Sequence, residues 1–303
     1  METQKIQCGQ NHKSAFVAIA GRPSAGKSTL LNTFCGAKVS ITSAIPQTTR
    51  NNIRGIVTRD DAQIVFIDTP GLHISDKKLN LKLRNTAARS LSSCEFVLYV
   101  MDLCRTPGPE EEAACALLTP NYADKLFIAL NKNDLKTANP AVFNEFIEAK
   151  FPALAKERVF EISALSKSSC VALLEALFLA APCGPRYYDA ACYTDQEVPF
   201  RIAEIIREQC VLYLHEELPH CVFVDIPNIE LHGASLSVDA VIYCERESQK
   251  GMIVGAKGSM IAKIRIGTLK SFREIFDWKI NLSLRVKTAP GWRQNDEWLR
   301  RLN

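Results

Sequence analysis

One nine-residue stretch constrains the fold of this chain more than any other. It reads Gly-Arg-Pro-Ser-Ala-Gly-Lys-Ser-Thr from Gly21 to Thr29 and fits the pattern G-x-x-x-x-G-K-[ST]. A short apolar run, residues 15–20, precedes it, and the residues that follow Thr29 read as the start of a helix. Strand, glycine-rich loop and helix in this order predict a phosphate-binding loop.

The residue types of this loop suit contact with a phosphate chain. Glycines let backbone N–H groups close around phosphate oxygens, and the helix that follows adds a favourable dipole. We expect Lys27 to bridge the β- and γ-phosphates and act in catalysis, and the Ser28 hydroxyl to bind Mg²⁺. A glycine turn ahead of a helix is the alternative interpretation. The predicted nucleotide-binding residues of the loop are Gly21, Ser24, Ala25, Gly26, Lys27, Ser28 and Thr29.

Length and composition indicate an ordinary globular chain of about two domains. The 303 residues are 47% hydrophobic and 23% charged, and no apolar run reaches the ~18 residues of a membrane span. The N-terminus is polar and lacks a signal-peptide core. The 11 cysteines are scattered without a C-x-x-C pair, which predicts reduced thiols in a cytoplasmic protein. The 5 histidines lack the spacing of a zinc site.

The net charge of +4 is distributed unevenly. Residues 186–245 hold 3 basic and 11 acidic side chains, whereas residues 246–303 hold 13 basic and 5 acidic ones. A basic C-terminal segment of this kind can mark a nucleic-acid-binding surface.

The composition of residues 38–57 predicts a loop that orders over a γ-phosphate. Its centre is polar and rich in hydroxyl groups, and Pro46 prevents a regular helix there. We expect Thr49, rather than Thr48, to be a second Mg²⁺ ligand and to act in catalysis. An ordinary surface loop is the alternative for either threonine taken alone.

The sequence Asp-Thr-Pro-Gly follows an apolar strand that ends near Asp68. Ligands bind at the carboxyl ends of strands in open α/β sheets, so Asp68 is the predicted carboxylate for Mg²⁺. Gly71 can offer its backbone N–H to a γ-phosphate because no side chain blocks the approach, and it is the third predicted catalytic residue. Residues 72–92 are expected to form a mobile loop and a helix that respond to the nucleotide.

A further apolar strand, residues 126–130, ends in Asn-Lys-Asn-Asp. In this position Asp134 accepts two hydrogen bonds from guanine, and adenine lacks that pair of donors, so the sequence favours guanine. Asn131 is expected to tie this turn to the phosphate-binding loop, and the Lys132 stem to lie over the base. Taken alone, the turn is unremarkable; after a buried strand and two phosphate motifs it indicates a guanine site.

The first half of the chain closes with a strand that leads into Ser163, Ala164 and Leu165. All three are predicted nucleotide-binding residues, with the Ala164 N–H directed at the guanine carbonyl oxygen. A helix follows and ends at a proline- and glycine-rich stretch, which marks a domain boundary. We therefore predict a first domain over 1–185, a linker over 186–197 and a second domain over 198–303.

The second half has the predicted order α-β-β-α-α-β. Apolar residues between positions 200 and 214 fall on one helical face, and two strands follow, joined by a turn-rich region at residues 228–233. A glycine loop at 255–258 leads into a helix, a further helix covers Thr268–Phe276, and a final strand covers Lys279–Val286.

The loop from Gly255 to Gly258 has the form G-x-x-G and lies between two predicted helices. In KH modules such a loop brings the backbone of single-stranded nucleic acid close to the protein, and nearby lysines and arginines attract phosphates. A helix–turn–helix hairpin with a solvated basic face is the alternative. The predicted RNA-binding residues are Ile253, Gly255, Ala256, Lys257, Gly258, Lys263, Arg265 and Lys270.

Together these motifs resemble the Era family of bacterial GTPases, which assist small ribosomal subunit assembly. The resemblance rests on GRPSAGKSTLLN, ITSAIPQTTR, DTPGLH, NKND and SAL, and then on EIIRE, IVGAKGSMIAKI and PGW. It implies a Ras-like GTPase domain with a mixed, mostly parallel α/β sheet, followed by a smaller α+β type II KH domain. It also implies GTP or GDP with Mg²⁺ as ligands, and binding to the 3′ end of small-subunit ribosomal RNA and to the small subunit.

Two departures from the family pattern bear on catalysis. Ser24 and Ala25 stand where the family carries Asn and Val, and that Asn helps hold a potassium ion in related GTPases. Leu72 stands where Ras-type proteins carry a catalytic Gln. Without that Gln, we expect slow intrinsic turnover.

The expected protein is a cytoplasmic monomer, with peripheral contact at the inner face of the cell membrane left open. GTP hydrolysis is expected to govern its binding to RNA. The alternative is a non-enzymatic RNA-binding assembly factor that keeps GTP as a structural ligand. A tRNA-modification GTPase would carry a C-terminal reactive Cys and a tetrahydrofolate domain, and the sequence shows no such domain.

Overall fold

The computed structural model describes residues 12–43, 50–69 and 89–300, apart from the side chain of Leu299. The described chain divides into two compact units, one formed by residues 12–40 and 50–195 and the other by 41–43 and 196–300. The finer division into two domains and a linker stays a prediction.

Six strands form the sheet of the first unit: β1 (Lys13–Ala20), β2 (Ile53–Thr58), β3 (Ala62–Asp68), β4 (Phe96–Asp102), β5 (Leu126–Asn131) and β6 (Val159–Ile162). Their order across the sheet is β2-β3-β1-β4-β5-β6. Only β2 is antiparallel to its neighbour, and the other pairings are parallel. This confirms the predicted mixed, mostly parallel sheet. The predicted loop over residues 38–57 is wrong at its end, because residues 53–57 form most of β2 and pair with β3.

The helices of the first unit include α1 (Lys27–Cys35), α2 (Pro109–Tyr122), α3 (Pro140–Lys150) and α4 (Val171–Ala180), and residues 89–93 are also helical. Strands β3, β4 and β5 are buried along their whole length. Strands covered on both faces carry continuous apolar runs, as these do. Because parallel strands end at the same edge, this packing gathers the polar residues that follow β1, β3, β4 and β5 at one edge of the sheet.

The segment 186–195, predicted to be a linker, is hydrogen-bonded to β2 and β3. The Gln63 side chain accepts two backbone N–H bonds from this segment, at 2.9 and 3.0 Å. The Ile56 N–H donates to a carbonyl in it at 2.9 Å, and the Arg54 guanidinium donates to Asp195 at 2.6 Å. Residues 186–195 therefore form part of the first unit.

The second unit contains α5 (Val198–Tyr213), α6 (Leu218–Cys221), β7 (Phe223–His232), β8 (Ser235–Cys244), α7 (Glu247–Val254), α8 (Ser259–Ile275), β9 (Lys279–Thr288) and α9 (Asp296–Arg300). Apart from the short α6 and α9, the element types follow the predicted order α-β-β-α-α-β. The two middle helices are placed differently, since α7 precedes the glycine loop and α8 covers both of the helices predicted after it. The sheet order is β7-β8-β9, with β7 antiparallel and β9 parallel to β8. Strand β7 extends through most of the predicted turn region and the chain reverses at Gly233.

The predicted break between two helices after the glycine loop is wrong, because α8 is continuous from Ser259 to Ile275. Gly267 lies inside this helix instead of ending it. A Cβ at Gly267 would come within 2.2 Å of Gln209 Oε1 on α5. The glycine therefore allows α8 to pack closely on α5, and that packing outweighs its low helix propensity.

The predicted apolar face of α5 lies in the core of the second unit, where Ile202, Ile206 and Cys210 are fully buried. Trp292 is also fully buried, and its Nε1–H donates to the carbonyl oxygen of Cys221 at 2.8 Å. This contact fixes the chain after β9 against the end of α6, just before β7 begins. None of the helices in the described ranges has both the length and the hydrophobicity to cross a bilayer.

Candidate functional site

The phosphate-binding loop connects β1 to α1, as the motif predicts. Gly21, Ser24 and Gly26 have φ angles of 149°, 64° and 98°, values that L side chains rarely adopt. A Cβ at Gly21 would lie 2.4 Å from the carbonyl oxygen of Val100, so glycine is required there. Ser24 adopts a positive φ although it has a side chain, so its backbone is strained. Ala25 is fully buried and Thr29 is half-buried in the first turn of α1.

Lys27 is held inside the loop. Its ammonium group donates to the carbonyl oxygens of Gly21 and Arg22 at 3.0 and 2.9 Å. Burial lowers its pKa from 10.5 to about 8, and the nearby carboxylates of Asp68 and Glu110 partly oppose that effect. An ammonium group that has lost its hydration gains strongly from a phosphate, because charges attract more in a low dielectric.

Ser28 and Asp68 meet at the edge of the sheet. The Ser28 hydroxyl donates to Asp68 Oδ2 at 2.6 Å, and Asp68 is fully buried. The register of β1 and β3, with Ile19 opposite Asp68, places the carboxylate beside the loop. A hydroxyl and a carboxylate are oxygen ligands of the kind Mg²⁺ prefers, so these residues fit the predicted metal role. The described residues contain no cluster of three or more His, Cys, Asp or Glu side chains suited to a transition metal.

Asn131 joins three predicted motifs. Its Nδ2 donates to the carbonyl oxygen of Ala25 at 2.8 Å, and its Oδ1 accepts the N–H of Ala164 at 2.8 Å. A Cβ at Gly26 would come within 2.2 Å of Asn131 Nδ2, so this glycine makes room for the amide. One buried side chain thus connects the phosphate-binding loop, the Asn-Lys-Asn-Asp turn and the Ser-Ala-Leu loop.

The side chains expected to contact a base are accessible. Asp134 is exposed, and Lys132 is half-buried with a φ of 71°. The Lys132 ammonium group lies 2.7 Å from Asp102 Oδ2, and Asp102 is buried at the end of β4. The Asn133 N–H donates to the carbonyl oxygen of Ile162 at 3.1 Å and ties this turn to β6.

The Ser-Ala-Leu loop lies beside this turn. Ser163 is buried and its N–H donates to Ser169 Oγ at 2.8 Å, whereas the Leu165 side chain is 81% exposed. The carbonyl oxygen of Ala164 accepts the Thr33 hydroxyl at 2.5 Å. The Ala164 N–H is already bonded to Asn131, so the predicted contact with guanine requires this bond to be shared or exchanged.

Thr48, Thr49 and Gly71 lie outside the described residues. Their roles, as a second metal ligand or as a γ-phosphate contact, stay predictions.

In the second unit, the G-x-x-G loop connects α7 to α8. Gly255, Lys257 and Gly258 all have positive φ angles, of 74°, 52° and 79°. A Cβ at Gly255 would lie 2.7 Å from Met260 Cβ, so the loop requires glycine there. Ala256 and Lys257 are exposed at its tip. The backbone of this loop is therefore open to a ligand.

The other predicted RNA-binding residues differ in their surroundings. Lys263 and Lys270 are exposed on α8. The Arg265 Nε–H donates to the carbonyl oxygen of Leu282 on β9 at 2.9 Å. Ile253 is fully buried in the core of the second unit, where it anchors the end of α7. A role in RNA binding stays a prediction for each of these residues.

Three polar residues near the nucleotide site were not predicted from the sequence. Asn32 and Ser40 are hydrogen-bonded to each other and Ser40 contacts Asp68. Asp102 contacts Lys132. Asn32 could have been predicted from its spacing. It lies four residues after Ser28, which puts both residues on one helical face. For Asp102 the signal was its place at the end of a buried strand.

Comparison with known proteins agrees with this geometry. A family described as 50S ribosome-binding GTPase matches residues 16–132, and the KH domain family matches residues 217–293. GTPase Era of Treponema denticola is 47% identical over 292 residues, covering 96% of this chain and 99% of the relative. The chain belongs to the Era family of GTPases. GTPase Era of Borreliella burgdorferi is 43% identical over 290 residues, covering 96% of this chain and 99% of the relative.

Two solved Era structures share the whole fold. A single-residue variant of Aquifex aeolicus Era bound to GDP·AlF₄⁻ has a TM-score of 0.88 at 31% identity. Era in complex with MgGDPNP and nucleotides 1506–1542 of 16S ribosomal RNA has a TM-score of 0.89 at 30% identity. Each match covers 95% of this chain and 98% of the relative. This Era-family chain is therefore a GTPase whose α/β domain is followed by a KH domain.

Proposed function

We propose that this protein hydrolyses GTP at the site around Lys27 and that its nucleotide state governs binding of the 3′ region of small-subunit ribosomal RNA. The observation that carries the proposal is the double contact of Asn131 with Ala25 and Ala164, which assembles three nucleotide motifs into one site. The two solved relatives, one with GDP·AlF₄⁻ and one with MgGDPNP and 16S ribosomal RNA, support it.

Different residues of the site bind the phosphates, the base and the metal. The backbone N–H groups of the loop and the Lys27 ammonium surround the phosphates, and Asp134 reads the guanine edge. Ser28 and Asp68 would hold Mg²⁺, which when bound would stabilise the negative charge of the phosphate oxygens. Catalysis by this set consists of positioning and charge stabilisation for attack of water on the γ-phosphorus. The predicted contributions of Thr49 and Gly71 belong to the same step.

The RNA part of the proposal rests on the second unit. Its G-x-x-G loop has three positive φ angles and an exposed lysine, and α8 presents Lys263 and Lys270 to solvent. An open loop backbone flanked by cations suits a single-stranded sugar–phosphate chain. We propose the small ribosomal subunit as the setting in which that RNA is met.

Two finer points belong to the proposal as well. We propose a cytoplasmic monomer, and the scattered spacing of the 11 cysteines, without a C-x-x-C pair, supports a reducing compartment. Peripheral contact with the inner face of the membrane stays a prediction, which flotation of the protein with liposomes would test.

Phosphate release measured with and without an RNA oligonucleotide of the 3′-end sequence tests the function. We expect slow release that the oligonucleotide accelerates and a scrambled oligonucleotide does not, with Lys27→Ala as the inactive control. Tight GTP binding without release under either condition would favour the alternative, a non-enzymatic RNA-binding factor with GTP as a structural ligand.

A further inference from the structure

The Asn32 side chain connects α1 to the chain that follows it. Its Oδ1 accepts the backbone N–H groups of Val39 and Ser40, both at 2.8 Å. Its Nδ2 donates to the carbonyl oxygen of Ser40 at 2.8 Å. Three hydrogen bonds from one amide therefore fix the backbone at Ser40, eight residues further along the chain.

Ser40 in turn contacts the carboxylate expected to hold the metal. Its side chain is buried, with 2% exposure, and its hydroxyl donates to Asp68 Oδ2 at 3.0 Å. The same oxygen accepts the Ser28 hydroxyl at 2.6 Å. Two hydroxyl donors thus converge on one carboxylate oxygen, one from the phosphate-binding loop and one from the segment fixed by Asn32.

Ser28 and Asn32 are four residues apart on α1 and share one face of the helix. The helix therefore places a metal ligand and the anchor of Ser40 side by side. Hydrogen bonds to a ligating carboxylate fix its orientation, and such outer partners commonly control metal affinity.

We propose that Asn32 and Ser40 form a positioning pair that sets the Mg²⁺ affinity of the nucleotide site, and with it the rate at which bound guanine nucleotide is released. This rests on the proposed function, because it takes Asp68 as the carboxylate that holds Mg²⁺. Ser40 orients Asp68, and Asn32 holds Ser40 in reach. Neither residue touches the nucleotide in this scheme.

The test is release of a fluorescent GDP analogue from the full-length protein at a series of Mg²⁺ concentrations. For Ser40→Ala we expect the Mg²⁺ concentration that gives half-maximal retention to rise about tenfold. Release in excess EDTA should match the wild-type rate, because the lost contact acts through the metal. Ser40→Thr keeps the hydroxyl and should restore retention.

Asn32→Ala provides a second variant, and the double variant shows whether the two residues act together. We expect Asn32→Ala and Ser40→Ala to give a double variant no worse than the larger single effect, because both act through one contact to Asp68. Thr119→Ala is the matched control, since the Thr119 hydroxyl has backbone acceptors only on α2 and α3, the carbonyl oxygens of Cys115 at 2.8 Å and Lys150 at 3.4 Å. Thermal unfolding of the nucleotide-free proteins separates loss of stability from loss of metal affinity.

Each outcome has a distinct meaning. An unchanged Mg²⁺ dependence in Ser40→Ala, with Asp68→Ala strongly affected, overturns the positioning pair and leaves the proposed metal site in place. An unchanged dependence in Asp68→Ala overturns the metal assignment itself. Equal acceleration of release with Mg²⁺ and in EDTA shows a structural role for Ser40, which also contradicts the proposal.

Discussion

The ammonium group of Lys132 lies 2.7 Å from the buried carboxylate of Asp102. Asp102 ends β4 and Lys132 directly follows the neighbouring strand β5, whose last residue, Asn131, is paired with Asp102. The Asp102 carboxylate also accepts the Cys104 N–H at 3.0 Å. Its orientation is therefore fixed by its own loop, and it fixes the Lys132 stem that is predicted to lie over the base.

We expect Asp102→Asn to weaken binding of GTP, ITP and XTP by a similar factor of about ten, because a charge-assisted contact is lost and the lysine stem covers any purine. Asp134→Asn should instead shift preference from GTP towards XTP. Competition binding with the three nucleotides distinguishes these effects. Arg105→Gln is the control, because it also removes a positive charge near the Asp102 carboxylate. Arg105 is half exposed and its Nε lies 3.8 Å from that carboxylate, so its loss should change nucleotide binding little. A change of base preference in Asp102→Asn would contradict its positioning role.

The pKa of Lys27 predicts a pH dependence of stability. Burial lowers this pKa from 10.5 to about 8 in the folded protein, so the unfolded chain binds more protons between these values and stability rises with pH across that window. Below pH 8 both states carry the charge, and the full cost of burying it remains.

Urea unfolding of the nucleotide-free protein checks this pH dependence. Relative to Lys27→Met, the wild type should gain about 2 kcal/mol of unfolding free energy between about pH 7.5 and pH 10. A constant difference between the two proteins over that range would show that the Lys27 pKa is unshifted.

The buried ion pair of Arg22 and Glu111 predicts a large loss of stability. The two side chains are 2.8 Å apart, with 7% and 1% exposure. Glu111→Gln leaves a buried guanidinium without its counter-charge, which costs about 3–5 kcal/mol. The double variant Arg22→Met, Glu111→Leu should recover most of this loss because it removes both charges. Urea unfolding of nucleotide-free protein measures both, and a stable Glu111→Gln protein would show that the pair is weak.

The G-x-x-G loop predicts a change in RNA binding. Replacing Ala256 and Lys257 by Asp keeps both glycines and puts negative charge where phosphates are expected. RNA affinity should fall, and the slope of log affinity against log salt should flatten by about 0.7 for each lost phosphate contact. GTP affinity should stay unchanged.

A matched control for this variant exists in the first unit. Ala155 and Lys156 are the same dipeptide, also exposed, and their replacement by Asp alters the net charge equally. Wild-type RNA affinity in the loop variant, or an equal loss in this control, would show that the loop does not contact RNA.

The sequence allowed prediction of the features that depend on local pattern. Loop glycines, apolar strands and the polar turns that follow them are encoded in short stretches, so most strands and several helices were predicted. Strand β2 was missed because its first five residues lie in the predicted loop and it is defined by its pairing with β3. The split of α8 was wrong because the packing of Gly267 against Gln209 joins residues far apart in sequence. Asp102 and Ser40 were missed for the same reason, since neither belongs to a motif and each acts through a residue distant in sequence, Lys132 for Asp102 and Asp68 for Ser40.

The bonds between residues 186–195 and strand β2 determine where the chain can be shortened. β2 is at the edge of the six-stranded sheet, and edge strands with unpaired backbone groups invite pairing with other molecules. Cleavage after Pro185 would uncover the Ile56 N–H and leave the fully buried amide of Gln63 without its backbone donors. A first unit released at that point should self-associate, whereas one that ends after Asp195 keeps its edge covered and should remain dispersed.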